Sequence, residues 1–187
     1  WLPRGIPALA RSAQALATAH PTLAALADIG DSWDKVTAGG PAGHDLFVLA
    51  PTTSSVPGPK PVHLVSAALH AREYTTAELM MRFAEQLANG YGNHADATWL
   101  LDQHEIHLLL HTNPDGRKQA ETGLSWRKNV DNNYCANTSS RGADLNRNFD
   151  FLWDHKAKFA PGSGVRTSDS PCDANVYRGP AASSEPE

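Results

Sequence analysis

The stretch LVSAALHAREYTTAELMM, residues 64–81, predicts the fold class and the position of a candidate site. Its first half is a continuous apolar run, which is typical of a strand buried on both faces in a parallel or mixed sheet. Thr75 or Thr76 can cap a helix, and beyond them apolar residues recur at helical spacing. His70 and Glu73 stand at the junction, and ligands of open α/β sheets bind where strands end in this way.

Strands and helices alternate along the first 113 residues. Apolar spacing predicts a helix over 6–19, two short strands around a Gly-rich turn over 22–51, a strand over 62–69, a helix to about Asn89, a short helix around 95–102 and a strand over 104–113. We read NPDG at 113–116 as a turn, followed mainly by loop, and a loop of that length is usually functional. The alternation predicts an α/β fold with a sheet covered by helices.

The composition excludes several classes of protein. The 187 residues fit one domain or most of a larger one, with 41% hydrophobic and 19% charged residues. A net charge of −4 without a dense basic cluster argues against binding of nucleic acid or anionic membranes. No apolar stretch approaches the ~20 residues of a membrane-spanning helix.

The chain has two cysteines, Cys135 and Cys172, both in polar, loop-like surroundings. Free cysteines prefer buried apolar sites, so a disulfide is favoured over two separate thiols, although both readings stay open at this stage. A zinc pair is disfavoured because no C-x-x-C spacing occurs. A disulfide would indicate an oxidising, extracytoplasmic location.

His70 and Glu73 are candidate metal ligands because an imidazole nitrogen and a carboxylate oxygen together suit Zn²⁺. H-x-x-E is a weak signal by itself, and a histidine satisfied in the core beside a solvated glutamate is the alternative. The segment HEIHLLLH at 104–111 is rejected as a metal site, because it lacks the helical H-E-x-x-H spacing.

The segment GADLNRNF at 142–149 offers polar groups suited to a carboxylate ligand. Asn146 and Arg147 provide neighbouring donors, and arginine binds carboxylates through two parallel hydrogen bonds. Arg127 could stabilise a developing oxyanion, and Asp144 could orient a ligating histidine. Each of these residues, taken alone, can equally be an ordinary surface residue.

The ordered motifs HARE, NPDG, WRKN, GADLNRNF and YRGPAASSEPE together resemble the zinc metallocarboxypeptidases of the carboxypeptidase A type. The resemblance runs from about residue 24 to residue 187. It implies a three-layer α/β/α fold with a mixed sheet of roughly eight strands in the intact family. It also implies one catalytic Zn²⁺ ion as the cofactor.

By this resemblance His70 and Glu73 are two zinc ligands. Asp144 is the residue that accepts a hydrogen bond from the ring nitrogen of the histidine that does not bind zinc. Arg127 resembles the arginine that polarises the scissile carbonyl and stabilises the tetrahedral oxyanion. These roles are expectations carried over from the motifs, residue by residue.

The substrate residues are also implied by the resemblance. Asn146 and Arg147 resemble the pair that holds the C-terminal carboxylate of the substrate, and Arg72 is expected to line a subsite further along the peptide. Cys135 and Cys172 flank the same loop, where several members of the family carry a disulfide.

The family pattern continues past residue 187 with a second histidine ligand, a mobile tyrosine and the general-base glutamate. We therefore expect residues 1–187 to be a single peptidase domain that is incomplete at its C-terminus, with an incomplete sheet and an exposed strand edge. Alone, such a chain would be inactive or poorly active. The remaining part is expected to be lost or present as a separate chain.

The sequence thus predicts a secreted or otherwise extracytoplasmic zinc carboxypeptidase that removes residues from peptides with a free C-terminal carboxylate. The preferred C-terminal residue is not determined. Two alternatives remain, namely a deacylase of N-acyl amino acids with the same broad fold and a non-catalytic module that binds carboxylate-ended peptides.

Overall fold

The computed structural model describes residues 3–160, 162 and 164–187. In chain order the elements are α1 (Ile6–Ala19), β1 (Ala24–Asp31), α2 (Trp33–Val36), β2 (Asp45–Pro51), β3 (Val62–Ser66), α3 (Tyr74–Gly90), α4 (Ala95–Gln103), β4 (Glu105–Leu109), α5 (Pro114–Glu121), a 3-10 helix (Leu145–Arg147) and α6 (His155–Lys158). No helix in this described part of the chain is long and apolar enough to cross a membrane.

The chain forms two compact units, and each is described separately. The first comprises residues up to 30 together with 45–68 and 74–112. The second comprises 31–44, 69–73 and 113–187, and it contains the predicted site residues.

A four-stranded mixed sheet with the order β1-β2-β4-β3 organises the first unit. Strands β2 and β4 are antiparallel, with Val48 opposite Leu109, whereas β3 and β4 are parallel, with Val65 opposite Leu108. The predicted α/β class with a mixed, incomplete sheet is confirmed. The two strands predicted over 22–51 are present as β1 and β2, and the short helix α2 lies between them.

Strand β3 differs from the prediction of a strand buried on both faces. It lies at one end of the sheet order, and Val62 and Leu64 are 63% and 66% exposed. Within the described part of the chain, β3 therefore has a partner strand on one side only, and its burial depends on neighbours that a single segment cannot reveal. The run continues beyond the strand into Ala67 and Ala68, which are both buried.

Helices α1 and α3 bury one apolar face each, as their 3.6-residue spacing requires. Their buried residues pack with the sheet in one core, which includes Leu9, Ala13, Leu16, Leu49, Met81, Ala84, Leu87, Ile106 and Leu108. Helix α1 has the predicted bounds of 6–19, and α3 begins at Tyr74 rather than after the predicted cap. The hydroxyl of Thr76, in the first turn of α3, accepts a hydrogen bond from Ala68 N–H at 3.0 Å.

An ion pair fixes the segment before α1 on helix α3. The carboxylate of Glu78 is 2% exposed and accepts hydrogen bonds from Arg4 Nε at 2.9 Å and Nη2 at 3.0 Å. Arg4 Nη1 also donates to Glu85 Oε1 at 2.7 Å. The hydrogen bond from Arg4 outweighs the effect of burial and lowers the pKa of Glu78 below 4.5.

In the second unit, the reading of NPDG as a turn followed by loop is corrected, because these residues begin helix α5. Asn113 is the N-cap residue, and its Oδ1 accepts a hydrogen bond from Gly116 N–H at 3.0 Å. Pro114 occupies the first turn, where its missing N–H costs nothing. The strand before this helix, β4, ends at Leu109, so residues 110–113 connect it to α5.

Candidate active site

The backbone that carries the site is organised by the buried amide of Asn113. Its Nδ2 donates to the carbonyl oxygens of Leu69 at 3.3 Å and Lys128 at 3.0 Å. Ala71 N–H donates to the Arg127 carbonyl at 3.0 Å. These bonds join the segment containing the predicted metal ligands to the segment containing the predicted oxyanion residue.

His70 lies between two carboxylates. Its Nε2 is 3.2 Å from Asp144 Oδ1, and its Nδ1 is 2.9 Å from Glu73 Oε1. The His70 side chain is 10% exposed, that of Asp144 is fully buried, and that of Glu73 is 47% exposed. One carboxylate therefore holds the imidazole from the interior while the other lies towards solvent.

Asp144 and Arg127 form a buried ion pair behind the histidine. Asp144 Oδ2 accepts hydrogen bonds from Arg127 Nη2 at 3.0 Å and Nε at 3.2 Å. Burial alone would raise the pKa of Asp144, but the hydrogen bond with His70 and the charge of Arg127 outweigh it and lower this pKa. Asp144 is therefore ionised, which favours a hydrogen bond donated by His70 Nε2–H.

That protonation pattern makes His70 and Glu73 suitable for a cation. With the proton on Nε2, a neutral imidazole carries its lone pair on Nδ1, which faces the Glu73 carboxylate at 2.9 Å and Arg127 Nη1 at 3.3 Å. Two acceptors this close repel each other unless a positive charge is shared between them. Imidazole nitrogen and carboxylate oxygen form a donor set that Zn²⁺ accepts, so the residues fit this metal.

Asn146 and Arg147 lie on the 3-10 helix immediately after Asp144. Asp144 Oδ1 accepts from the Asn146 N–H at 3.0 Å and so caps this helix. Arg147 donates through Nε to the Arg166 carbonyl and through Nη1 to the Asn146 carbonyl, both at 2.7 Å. No carboxylate in the described residues forms an ion pair with Arg147, whose partners are backbone oxygens, and Asn146 is exposed.

Arg72 does not join the cluster of His70, Glu73, Asp144 and Arg127. Its guanidinium Nη1 donates to the backbone oxygen of Ser125 at 3.3 Å and to its hydroxyl at 3.0 Å. The structure thus brings four predicted residues into direct contact and leaves the Arg72 side chain bonded elsewhere.

The loop that carries Asp144 is closed by a disulfide. Cys135 and Cys172, 37 positions apart, are bonded with a Cα–Cα distance of 5.4 Å, so the predicted bridge is present. Asp144, Asn146 and Arg147 all lie within the enclosed segment.

Two further residues of the site escaped sequence analysis. Asn113 had a usable signal, since an asparagine before Pro-Asp-Gly is also typical of a helix N-cap. Asn175 had none, because it acts through its backbone oxygen, which accepts from Arg127 Nε at 3.1 Å. The long loop supplies this acceptor only once it is folded.

A histidine and a glutamate three residues apart, supported by a buried aspartate that pairs with an arginine, form a set of donors that suits a divalent metal ion. The model of the zinc carboxypeptidase family, peptidase M14, matches residues 9–187, so the chain belongs to that family. The family name implies zinc as the metal.

Relatives and solved structures agree with this membership. The chain is 36% identical over 131 residues to mast cell carboxypeptidase A of Rattus norvegicus and 37% identical over 134 residues to carboxypeptidase A2 of the same species. These alignments cover 70% and 71% of this chain, and 29% of each relative. The chain therefore spans about three tenths of the length of these curated relatives.

Among solved structures, carboxypeptidase A from Helicoverpa armigera has a TM-score of 0.76 at 25% identity, covering 98% of this chain and 40% of that one. Thrombin activatable fibrinolysis inhibitor has a TM-score of 0.79 at 22% identity, covering 98% of this chain and 41% of that one. The second likeness concerns the fold alone.

Proposed function

We propose that the protein carrying this chain is a zinc-dependent metallocarboxypeptidase that hydrolyses the C-terminal peptide bond of peptides. The observation that carries the proposal is the position of His70 between Asp144 and Glu73, with Arg127 bound to the same aspartate. Family membership supports the reaction class. Because the family match runs through both compact units, we also propose that they belong to one peptidase domain.

In this proposal His70 Nδ1 and a Glu73 oxygen would hold the zinc ion. Zinc in such a site supplies a Lewis acid that polarises the peptide carbonyl and activates water. Asp144 accepts the Nε2 proton of His70, which fixes the tautomer, orients the ring and makes Nδ1 a better ligand. The buried aspartate would therefore act on metal binding through His70.

Arg127 is proposed as the oxyanion donor. Its Nε and Nη2 are held by Asp144, while its Nη1 lies 3.3 Å from His70 Nδ1 and so faces the metal side of the imidazole. A guanidinium fixed in this way is pre-oriented towards charge that develops next to the metal ligands. Its ion pair with Asp144 supplies the rigidity that such a donor requires.

Asn146 and Arg147 are proposed to bind the terminal carboxylate of the substrate. Both Arg147 hydrogen bonds run to backbone carbonyls, which leaves its positive charge without a carboxylate partner in the described residues. A free peptide C-terminus supplies that charge and can accept two parallel hydrogen bonds from an arginine. The disulfide supports the further proposal that the protein is secreted or otherwise extracytoplasmic.

Zinc binding is the first test. The complete protein should bind about one zinc ion per molecule, and His70→Ala should lower its zinc affinity by at least 10-fold, whereas the exposed control His63→Ala should not. Metal analysis after dialysis and competition with a chromogenic chelator measure both. Metal-free protein that still binds carboxylate-ended peptides would contradict the proposal and favour a binding module.

Substrate choice is the second test. The enzyme should cleave a blocked dipeptide with a free C-terminal carboxylate and should cleave its C-terminal amide far more slowly, because the amide removes the partner of Arg147. Arg147→Ala should lower the ratio of the cleavage rate of the free acid to that of the amide. Equal turnover of the acid and the amide would refute the carboxylate role, and faster turnover of an N-acyl amino acid would favour the deacylase.

A further inference from the structure

A cavity of about 260 Å³ lies beside Arg127 in the second unit. Arginine, lysine and serine side chains line much of it, and no aspartate or glutamate in the described part of the chain does so. Its volume is below the ~300–1,000 Å³ of a pocket for a drug-sized ligand, so it suits one side chain or a small anion. The charged side chains that line the cavity are therefore all positive.

Two of the cations in this wall are already engaged. Arg127 is paired with Asp144. Lys128 Nζ donates to the backbone oxygens of Ser140 at 2.7 Å and Asp173 at 2.5 Å, which fixes it as a structural link between two loop segments. Neither side chain needs a ligand from the cavity.

The other two cations have capacity to bind a ligand. Among the described residues, the Arg72 guanidinium donates to Ser125 alone, a neutral residue. No described residue accepts a hydrogen bond from the Arg141 guanidinium, although its Nε is buried. Asp34 is within electrostatic range of Arg141 but does not line the cavity. A buried donor without an acceptor is costly, and a bound anion would remove that cost.

The direction of the substrate connects this cavity to the proposed reaction. Arg147 would hold the terminal carboxylate and Arg127 the scissile carbonyl, so residues on the N-terminal side of that bond extend past Arg127. Arg127 also lines the cavity, whereas Arg147 does not. In that orientation the upstream part of a bound peptide would pass the cavity.

We propose that Arg72 and Arg141 bind the carboxylate of an acidic side chain upstream of the scissile bond. The proposal rests on the carboxypeptidase function and narrows its substrate class to peptides with an aspartate or glutamate in this upstream region. The guanidinium groups of both residues offer paired N–H donors that match a carboxylate.

The test compares pairs of N-blocked tetrapeptides and pentapeptides that share a C-terminal residue and differ only by glutamate or glutamine. The substituted position is moved through each of the three residues preceding the terminal one. At one position or more, the glutamate peptide should have a kcat/KM about fivefold higher, as expected for a charge pair in a partly open cavity. A ratio near one at all three positions overturns the proposal.

Variants assign the preference to the cavity. Arg141→Gln should bring the glutamate-to-glutamine ratio close to one, while Arg11→Gln, an exposed arginine on α1, should keep the wild-type ratio. Because the ratio is internal to each variant, partial loss of folded protein does not alter it. A preference that survives Arg141→Gln overturns the assignment.

Sulfate inhibition and calorimetry distinguish a subsite for the substrate from a site for free anions, and peptide binding from catalysis. Inorganic sulfate should raise KM for the glutamate peptide more than for the glutamine peptide. Sulfate inhibition without any glutamate preference would show a free-anion site and overturn the substrate proposal. If neither peptide is cleaved, the carboxypeptidase proposal fails, and the ratio of their dissociation constants by calorimetry still decides whether the cavity selects the acidic side chain.

Discussion

Replacement of Asp144 by asparagine tests the support of the site most directly. The carboxylate is fully buried and accepts four hydrogen bonds, from Arg127 Nε and Nη2, from His70 Nε2 and from the Asn146 N–H. Asparagine has one acceptor oxygen and no charge, so it cannot satisfy all these donors. Asp144→Asn therefore leaves the Arg127 guanidinium, whose side chain is 14% exposed, without its counter-charge.

Breaking a buried ion pair from one side costs ~3–5 kcal/mol, and we expect about 3 kcal/mol here because Arg127 keeps its bond to the Asn175 carbonyl. For a chain of this size, ~2–4 °C of melting temperature corresponds to 1 kcal/mol, so the midpoint should fall by roughly 6–12 °C. Zinc affinity should fall ~10–100-fold, as for other residues that orient a ligating histidine.

Thermal and urea unfolding with EDTA present measure the ion pair without the metal, and chelator competition then measures zinc affinity. Asp150→Asn is the matched control, because Asp150 is exposed in the same compact unit. It should change the unfolding free energy by less than ~0.5 kcal/mol. An Asp144→Asn protein as stable as this control, or with unchanged zinc affinity, would refute the reasoning.

Three further predictions concern stability. Cys172→Ser, which breaks the bridge to Cys135 across 37 positions, should lower the unfolding free energy by about 4 kcal/mol on the chain-entropy model, with no effect of dithiothreitol on the variant. Met81→Ala, at a fully buried core position, should cost about 3 kcal/mol in urea unfolding, whereas Leu79→Ala on the exposed face of the same helix should cost less than ~0.5 kcal/mol; equal costs would contradict the assigned packing. The pKa of Glu78 is lower in the folded than in the unfolded chain, so its stabilisation is present above the unfolded value of 4.5 and is lost as pH falls below it. Glu78→Gln should flatten the fall of stability in that acidic range, and an unchanged slope would exclude this contribution.

The elements and motifs with a local signal could be predicted from the sequence. Helix α1 has the predicted bounds, and α4 differs from its predicted range by one residue. Apolar spacing is sufficient there because a helix needs only one apolar face to bury, and the residues of that face lie in successive turns of the same segment. The spacing of His70 and Glu73 is local in the same sense, since three residues separate the two side chains.

Features that depend on partners elsewhere in the chain could not be predicted in the same way. An exposed strand edge was expected, but the apolar sequence of β3 did not indicate that this strand would have a partner on one side only, because strand order is set by pairing between distant segments. The segment beginning at Asn113 contains signals for both a turn and a helix N-cap. In the folded chain the helix forms, and the side-chain amide of Asn113 also donates hydrogen bonds to the carbonyl oxygens of Leu69 and Lys128.

By itself, the sequence determined the α/β class, the principal helices of the first unit and the set of residues with suitable chemistry. The tertiary structure decided how those residues are used. His70 and Asp144 are 74 positions apart, and only the folded chain brings Nε2 of one within 3.2 Å of Oδ1 of the other. The physical reason is that spacing along the chain fixes which face a side chain occupies, whereas charge pairing, burial and hydrogen-bond partners depend on contacts between distant segments.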